Sequence, residues 1–283
     1  MDKKFLFITP LTPKRLLTPL RTMLFEQYIE SLKRQSYKNW EALLIGEEDR
    51  TDGNIRYVSI AAESKEIKLI FAKEYILNMA QKPDYIIRID DDDVINPNVL
   101  KRVANMDFDC YADHYHAFYD LTNFRISLQK RDWLANTVIH KYEHAMLEMG
   151  EDKIPLLQCD HSKDWIRYYK DKKLVYAPEN SPVYLRVLSP TTVTSGIHGL
   201  TKNTKEKYDE FKSNVVKLHS AGDINFNQYH SYIRGFGKWK KQELPDFREQ
   251  QRSLEQVWIK FYGKVPTEPF TFKLKRIWSS LKG

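Results

Sequence analysis

An α/β fold with a mostly parallel sheet is what the order of apolar runs predicts. Two observations carry it. Short aliphatic and β-branched runs alternate with stretches whose apolar residues recur at helical spacing, and one such run feeds directly into four consecutive acids before a turn at Asn96-Pro97. Residues 4–9 read as a buried first strand that stops at Pro10. Over 22–34, Met23, Leu24, Phe25, Tyr28, Ile29 and Leu32 fall at the spacing of an amphipathic helix. Residues 40–45 form a second strand that ends in the acidic loop Gly46-Glu47-Glu48-Asp49, and 55–60 form a shorter third. Helical spacing returns over 68–80, and 84–89 is the strand that leads into the acids. A helix is expected over 94–106, an extended segment over 109–119 with a hairpin partner at 123–129, and a loop entering a helix over 159–170. Short strands at 174–177 and 183–188 complete the series. After Gly199 the composition turns polar and helical, which places a boundary near residue 200, between a domain of 1–200 and a helical, basic extension of 201–283.

Composition narrows the class. With 283 residues and 42% hydrophobic content the chain can bury a real core, and 13% aromatic residues argue against disorder. Cys110 and Cys159 are the only cysteines, so a disulfide framework is not implied and a reducing compartment fits. The apolar run at 5–9 is too short for the core of a signal peptide, and no stretch approaches a membrane span, so a cytoplasmic protein is expected. The net charge of +7 is concentrated late: residues 260–283 hold six bases against one acid. Leu274, Ile277, Trp278 and Leu281 repeat there at helical spacing among Lys273, Lys275, Arg276 and Lys282. That pattern suits a helix lying on an anionic membrane, here the inner face, or equally one docked on the protein's own domain. No nucleic-acid-binding motif is present, so no nucleic-acid partner is expected.

Asp90, Asp91, Asp92 and Asp93 are the chemical centre of the chain. Adjacent carboxylates repel one another, and no packing requirement places four of them at the end of a buried strand. A divalent cation turns that repulsion into attraction, and the carboxyl end of a strand is where open α/β sheets bind ligands. A solvated acidic turn is the competing reading.

The order of motifs resembles glycosyltransferases of family 2 with a GT-A, Rossmann-like fold. The resemblance runs over residues 3–198 and rests on Ser31-Leu32-Lys33-Arg34-Gln35-Ser36-Tyr37-Lys38-Asn39-Trp40-Glu41 and on Ile89-Asp90-Asp91-Asp92-Asp93-Val94-Ile95-Asn96-Pro97, which contains a DxD motif as Asp90-x-Asp92. A subgroup of rhamnosyltransferases is similar as well. The resemblance implies a UDP-, dTDP- or GDP-linked sugar donor, Mn²⁺ or Mg²⁺, and inverting transfer to the hydroxyl of a glycan or a lipid-linked saccharide in polysaccharide or surface-glycan synthesis. It implies Asp92 as direct metal ligand, Asp90 on metal or ribose, Asp93 in support, and His198 as a late ligand to metal or diphosphate. By strand alternation Asp91 is expected to point away and to be the most replaceable of the four, although it stays among the nucleotide-binding candidates. Thr9, Glu47 and Lys73 are implied near the nucleotide. Glu47 stands where the family usually has Asp, and a glycine-serine turn normally follows there. Arg186 is implied as a phosphate-holding residue. The general base is implied at Asp160, with Asp164 as the other acid in reach and His161 as an imidazole suited to the same task. Asp160 also reads as a helix N-cap.

Other pairings carry less. His114 and His116, two apart on a strand, face one way, but no further ligands follow at metal-site spacing. His140 and His144 have helical spacing, yet Lys141 stands where a metalloprotease needs Glu. A nucleotidyltransferase wants a glycine-rich loop after the first strand, and no glycine precedes Gly46. A carbohydrate- or nucleotide-binding protein without transferase activity leaves the carboxylate row unexplained.

Overall fold

The computed structural model describes residues 2–188 except 18, 63, 121–124 and 152. The expected extension 201–283, its amphipathic tail and His198 lie outside the described residues.

In chain order the elements are β1 (Phe5–Pro10), α1 (Pro19–Lys33), β2 (Trp40–Gly46), β3 (Arg50–Asp52), β4 (Ile55–Ser59), α2 (Lys65–Leu77), β5 (Tyr85–Arg88), β6 (Val94–Ile95) and α3 (Val99–Val103). Then follow β7 (Cys110–Ala112), β8 (Tyr115–Asp120), β9 (Arg125–Lys130), β10 (Ile139–Lys141), α4 (Tyr142–Ala145), β11 (Glu148–Met149) and β12 (Ile154–Pro155). A π-helical turn His161–Trp165 leads into α5 (Ile166–Tyr169), and β13 (Leu174–Tyr176) and β14 (Tyr184–Leu188) end the series.

The main sheet has the order β13-β7-β10-β5-β1-β2-β4-β3. β1 runs parallel to β2 and β5, β2 to β4, and β13 to β7, whereas β10 and β3 run antiparallel to their neighbours. Alternation along β1 splits the core into two layers. Phe5 and Phe7 pack with Tyr28 and Leu32 of α1, while Leu6 and Ile8 pack with Leu69, Ala72 and Ile76 of α2. The mixed α/β class with helices on both faces of a mostly parallel sheet is therefore as expected.

A smaller sheet, β6-β14-β8-β9, stands beside it. β6 lies where the sequence predicts the start of one helix over 94–106. Pro97 disfavours helical geometry at Asn96, so Val94 and Ile95 pair instead with β14, and only Val99–Val103 closes as a helix. Buried Asn96 sets this turn: its Nδ2 donates to Pro182 O at 2.8 Å and its Oδ1 accepts from Asn98 N at 2.9 Å. β10 is the other departure. His140 lies on a central strand between β5 and β7, whereas His144 lies on α4, so the two do not share a helix face.

Candidate active site

β1, β2 and β5 end at one edge of the main sheet, and the loops that follow them meet there. Leu11 N donates to Ile45 O at 2.9 Å, which lays the loop after β1 over the end of β2. The four carboxylates then separate by task.

Asp91 points inward, against the expectation that it is the replaceable one. It is 6% exposed, and its carboxylate accepts from Thr12 N at 2.6 Å, Thr12 Oγ1 at 3.1 Å and Arg21 Nη2 at 2.8 Å. The chain leaves β5 at Arg88, so the strict strand alternation behind that expectation no longer applies at Asp91. Asp93 is likewise internal: its Oδ1 accepts from Val187 N at 3.0 Å and ties the acidic turn to β14.

Asp90 and Asp92 remain at the surface of the site. Asp90 receives Lys65 Nζ at 2.5 Å and Asn136 Nδ2 at 2.9 Å, and Asn136 Oδ1 in turn accepts from Tyr184 OH at 2.9 Å. Asp92 receives Arg21 Nη1 at 2.5 Å. Arg21 therefore bridges Asp91 and Asp92 from α1, and Lys65 covers Asp90 from the start of α2.

The electrostatics follow this division. Burial would raise the Asp90 carboxyl, but Lys65, Arg88 and Arg186 outweigh it and hold it at about 2. Burial pushes Asp92 above the usual carboxylate range, and Asp91 and Asp90 add to the push against the pull of Arg21. Asp93 is driven up further, by burial and then by Asp92 and Asp90. Burial would lower Arg186, yet the Tyr184 hydroxyl and Asp93, Asp90 and Asp92 together raise it. Arg186 therefore sits within the field of the acidic row.

A hard divalent cation fits this donor set. Asp90 and Asp92 offer partly accessible oxygens, with side chains 31% and 13% exposed, in a cluster where burial and then neighbouring carboxylates drive two of the carboxyls upward. Asp91 and Asp93 are committed to the backbone of neighbouring segments. Lys65 and Arg21 now serve as counter-ions to the two accessible carboxylates. A separate trio, Asp109, Glu143 and His144, has ligand atoms within 4.8 Å of one another. It sits at the other end of the sheet: β10 aligns Lys141 with Tyr85 at the start of β5, and Asp109 accepts from Lys141 N at 2.9 Å. Five residues of strand put that point about 16 Å from Asp90. His144 there already binds Asp109 Oδ1 at 3.1 Å and Tyr168 OH at 2.7 Å.

Beside the row, Leu11, Leu17, Phe25 and Tyr57 line an open pocket rimmed by Thr12, Lys14, Glu47, Glu48, Arg50 and Asp91. Glu47 stands at this rim, where its Oε1 accepts from Lys14 N at 3.0 Å. Gly46 is needed for the close approach of the two loops, because a Cβ there would lie 3.0 Å from Leu11 Cδ1 and 3.2 Å from Leu11 Cβ.

Two other residues implied near the nucleotide have partners within the protein. Thr9 is fully buried and its hydroxyl bonds to Tyr28 OH, because it shares the α1-facing side of β1 with Phe5 and Phe7. Lys73 pairs with Glu148 at 2.6 Å. It lies eight residues along α2 from Lys65, about 12 Å of helix rise away from the acidic row.

On the opposite side of the row, Asp160 caps the π-helical turn. Its Oδ1 accepts from Ser162 N at 2.8 Å and Ser162 Oγ at 2.6 Å, while Asp164 Oδ2 accepts from Asp160 N at 3.1 Å. Asp160 is nevertheless exposed, and the hydrogen bonds from Ser162, helped by His161 and Lys163, hold its carboxyl below the ordinary value. His161 Nδ1 contacts Leu134 O at 2.8 Å, and burial lowers its pKa. Asp160 and His161, like Asp90, lie within the electrostatic reach of Arg88. Arg88 donates to Leu157 O at 2.6 Å and stacks on Trp165, with 4.6 Å to the ring centre.

Arg21, Lys65, Arg88, Asn136 and Tyr184 were not singled out by sequence reasoning. Their role depends on segments that meet only in three dimensions. The single available signal was the basic, proline-punctuated loop that precedes α1.

No protein-family model matches the chain, and no curated protein sequence matches it. Solved structures of low similarity do. The first is Staphylococcus aureus TarS, residues 1–349, with 14% identity over 91% of this chain and 78% of that one and a TM-score of 0.43. The glycosyltransferase GlyE of Streptococcus pneumoniae TIGR4 shows 8% identity over 86% of this chain and 64% of its own, with a TM-score of 0.37. The galactosyltransferase LgtC in complex with donor and acceptor sugar analogs shows 9% identity over 81% and 99%, with a TM-score of 0.35.

Proposed function

We propose that this chain is a metal-dependent glycosyltransferase that moves a sugar from a nucleotide-linked donor to an acceptor hydroxyl with inversion. The observation that carries the reading is the division of Asp90–Asp93: two carboxylates locked into the fold, two left partly accessible near an apolar pocket with a rim of mixed charge. Leu11, Phe25 and Tyr57 suit one face of a nucleobase, and Glu47 or Glu48 suits its polar edge or the ribose hydroxyls. Mn²⁺ or Mg²⁺, held by Asp90 and Asp92 with Asp93 behind them, would supply positive charge to a leaving diphosphate. His198 is retained as a candidate for the same charge. Arg186, within the field of the row, would take up phosphate oxygens in this reading.

Asp160 serves as the general base. Its lowered pKa keeps it ionised, and its exposure leaves it open to an acceptor hydroxyl. Asp164 orients it through the Asp160 N–H, and His161 braces the loop against Leu134. The acceptor belongs to polysaccharide or surface-glycan synthesis in this reading. Among the described residues no helix is long and apolar enough to cross a membrane, so attachment to an anionic surface would rest on the tail at 273–282.

The test is thermal stabilisation and donor hydrolysis with UDP-, dTDP- and GDP-sugars, with and without Mn²⁺. Stabilisation that requires both ligands and is lost in Asp92→Asn supports the reading. Transfer that survives Asp92→Asn unchanged sinks the metal role, and nucleotide-sugar binding without hydrolysis or transfer would leave a binding protein.

A further inference from the structure

One face of the small sheet runs from Arg186, which lies within the field of the acidic row, toward Arg131. Arg186 on β14 lies opposite Phe118 on β8, and His116, two residues before Phe118, lies opposite Gln129 on β9. Residues opposite or two apart share a face, so Arg186, Phe118, His116 and Gln129 point the same way. Just past β9 the chain places Arg131 at the end of this row. Its N–H donates to His114 O at 3.1 Å, and its guanidinium Nη2 donates to Gln129 Oε1. The guanidinium lies 4.8 Å from the centre of the Trp133 ring, and its Nε–H is buried without a partner. Among the described residues no carboxylate offsets this charge: burial and Arg186 both act against it. Arg186 itself makes no side-chain hydrogen bond among the described residues, although the acidic row balances its charge.

A half-buried arginine with an unmet donor and no counter-ion is costly unless a ligand supplies the anion. Position says which ligand. The apolar pocket is lined by Leu11, Tyr57 and Asp91, whereas Arg131 follows β9 of the small sheet, within the field of Arg186. We propose that Arg131, its guanidinium plane set by Trp133 and Gln129, forms a subsite for an anionic saccharide, one carrying a phosphate or carboxylate group. Naming that saccharide the acceptor rests on the transferase reading; the anion preference does not.

The test uses the full chain and follows Trp fluorescence and calorimetry with three probes: neutral maltotetraose, tetragalacturonate as the carboxylate arm, and maltotetraose phosphorylated at one 6-hydroxyl as the phosphate arm. At least one anionic probe should bind about tenfold tighter than the neutral one. Arg131→Gln should erase that preference, Arg131→Lys should keep part of it, and UDP affinity in the presence of Mn²⁺ should stay within about twofold of the parent. The arm that binds tighter identifies the group. Absence of an anion preference in the parent protein, or its survival in Arg131→Gln, overturns the subsite. An equal loss of UDP affinity overturns its separation from the donor. Failure of the parent to bind UDP, with the anion preference intact, counts instead against the transferase reading.

Discussion

Asp91 and Asp92 are neighbours with opposite assignments, and the reason is local. Asp91 shares the largely buried Arg21 with Asp92 and takes two donors from Thr12, so removing it leaves the Thr12 N–H unmet and Arg21 with one carboxylate instead of two. With both side chains about a tenth exposed or less, Asp91→Ala should cost about 2 kcal/mol of stability through the donors it leaves unmet. Urea unfolding measures this, and a loss below about 1 kcal/mol would place the pair among weak surface bridges. Asp90 and Lys65 behave differently. That pair is 31% and 42% exposed on its side chains, so its contribution to folding is small and its two partners are separable. Four identical letters in the sequence thus became two structural anchors and two partly accessible carboxylates.

At the scale of elements, the end of β2 and the loop after β1 are held apart by a single hydrogen atom. Gly46 lets Leu11 approach, and these two residues with Tyr57 shape one wall of the pocket. Gly46→Val should displace the Leu11 loop and weaken nucleotide binding by about tenfold or more, while the main sheet keeps its thermal stability to within a few degrees. Titration of UDP against both proteins checks it, and unchanged affinity would move the base out of this pocket. β14 has a comparable position. Its Val187 N–H holds Asp93, and the same strand presents Arg186 to the row, so acidic turn and arginine share one register.

Across the whole molecule, stability should depend on pH through buried histidines. His140 on β10 is fully buried, its Nδ1 meets Tyr169 OH at 2.7 Å, and it stands edge-on to Trp165. Burial, with Arg88 and His144 adding to it, lowers its pKa to about 3. The folded state therefore keeps it neutral while the unfolded chain protonates it near pH 6.5, so stability falls as pH drops below that value. The slope is about 1.4 kcal/mol per pH unit until pH nears about 3. Asp113 has the opposite sign. Burial raises it to about 7, so its stabilising protonation is complete below the unfolded pKa and is lost as pH rises toward about 7. In His140→Gln, the stability difference between about pH 6.5 and about pH 5.5 should shrink by about 1 kcal/mol, measured by denaturant unfolding at both values. An unchanged slope would assign the acid sensitivity elsewhere.

The residues themselves determined the α/β class, the first two strands, the two long helices and the location of the acidic row, because those depend on local hydrophobic period and on chemistry repeated within a few residues. The hairpin of β8 and β9 was legible for the same reason. Tertiary structure decided what locality cannot encode. It turned Val94 and Ile95 into a strand because β14 offered a partner, and it inserted β10 between β5 and β7. It withdrew Thr9 to Tyr28 and Lys73 to Glu148. It brought Arg21 and Lys65, distant in sequence from the acids, onto Asp92 and Asp90. A carboxylate's role depends on which donors reach it, and those donors arrive from segments that only the packed fold places beside it.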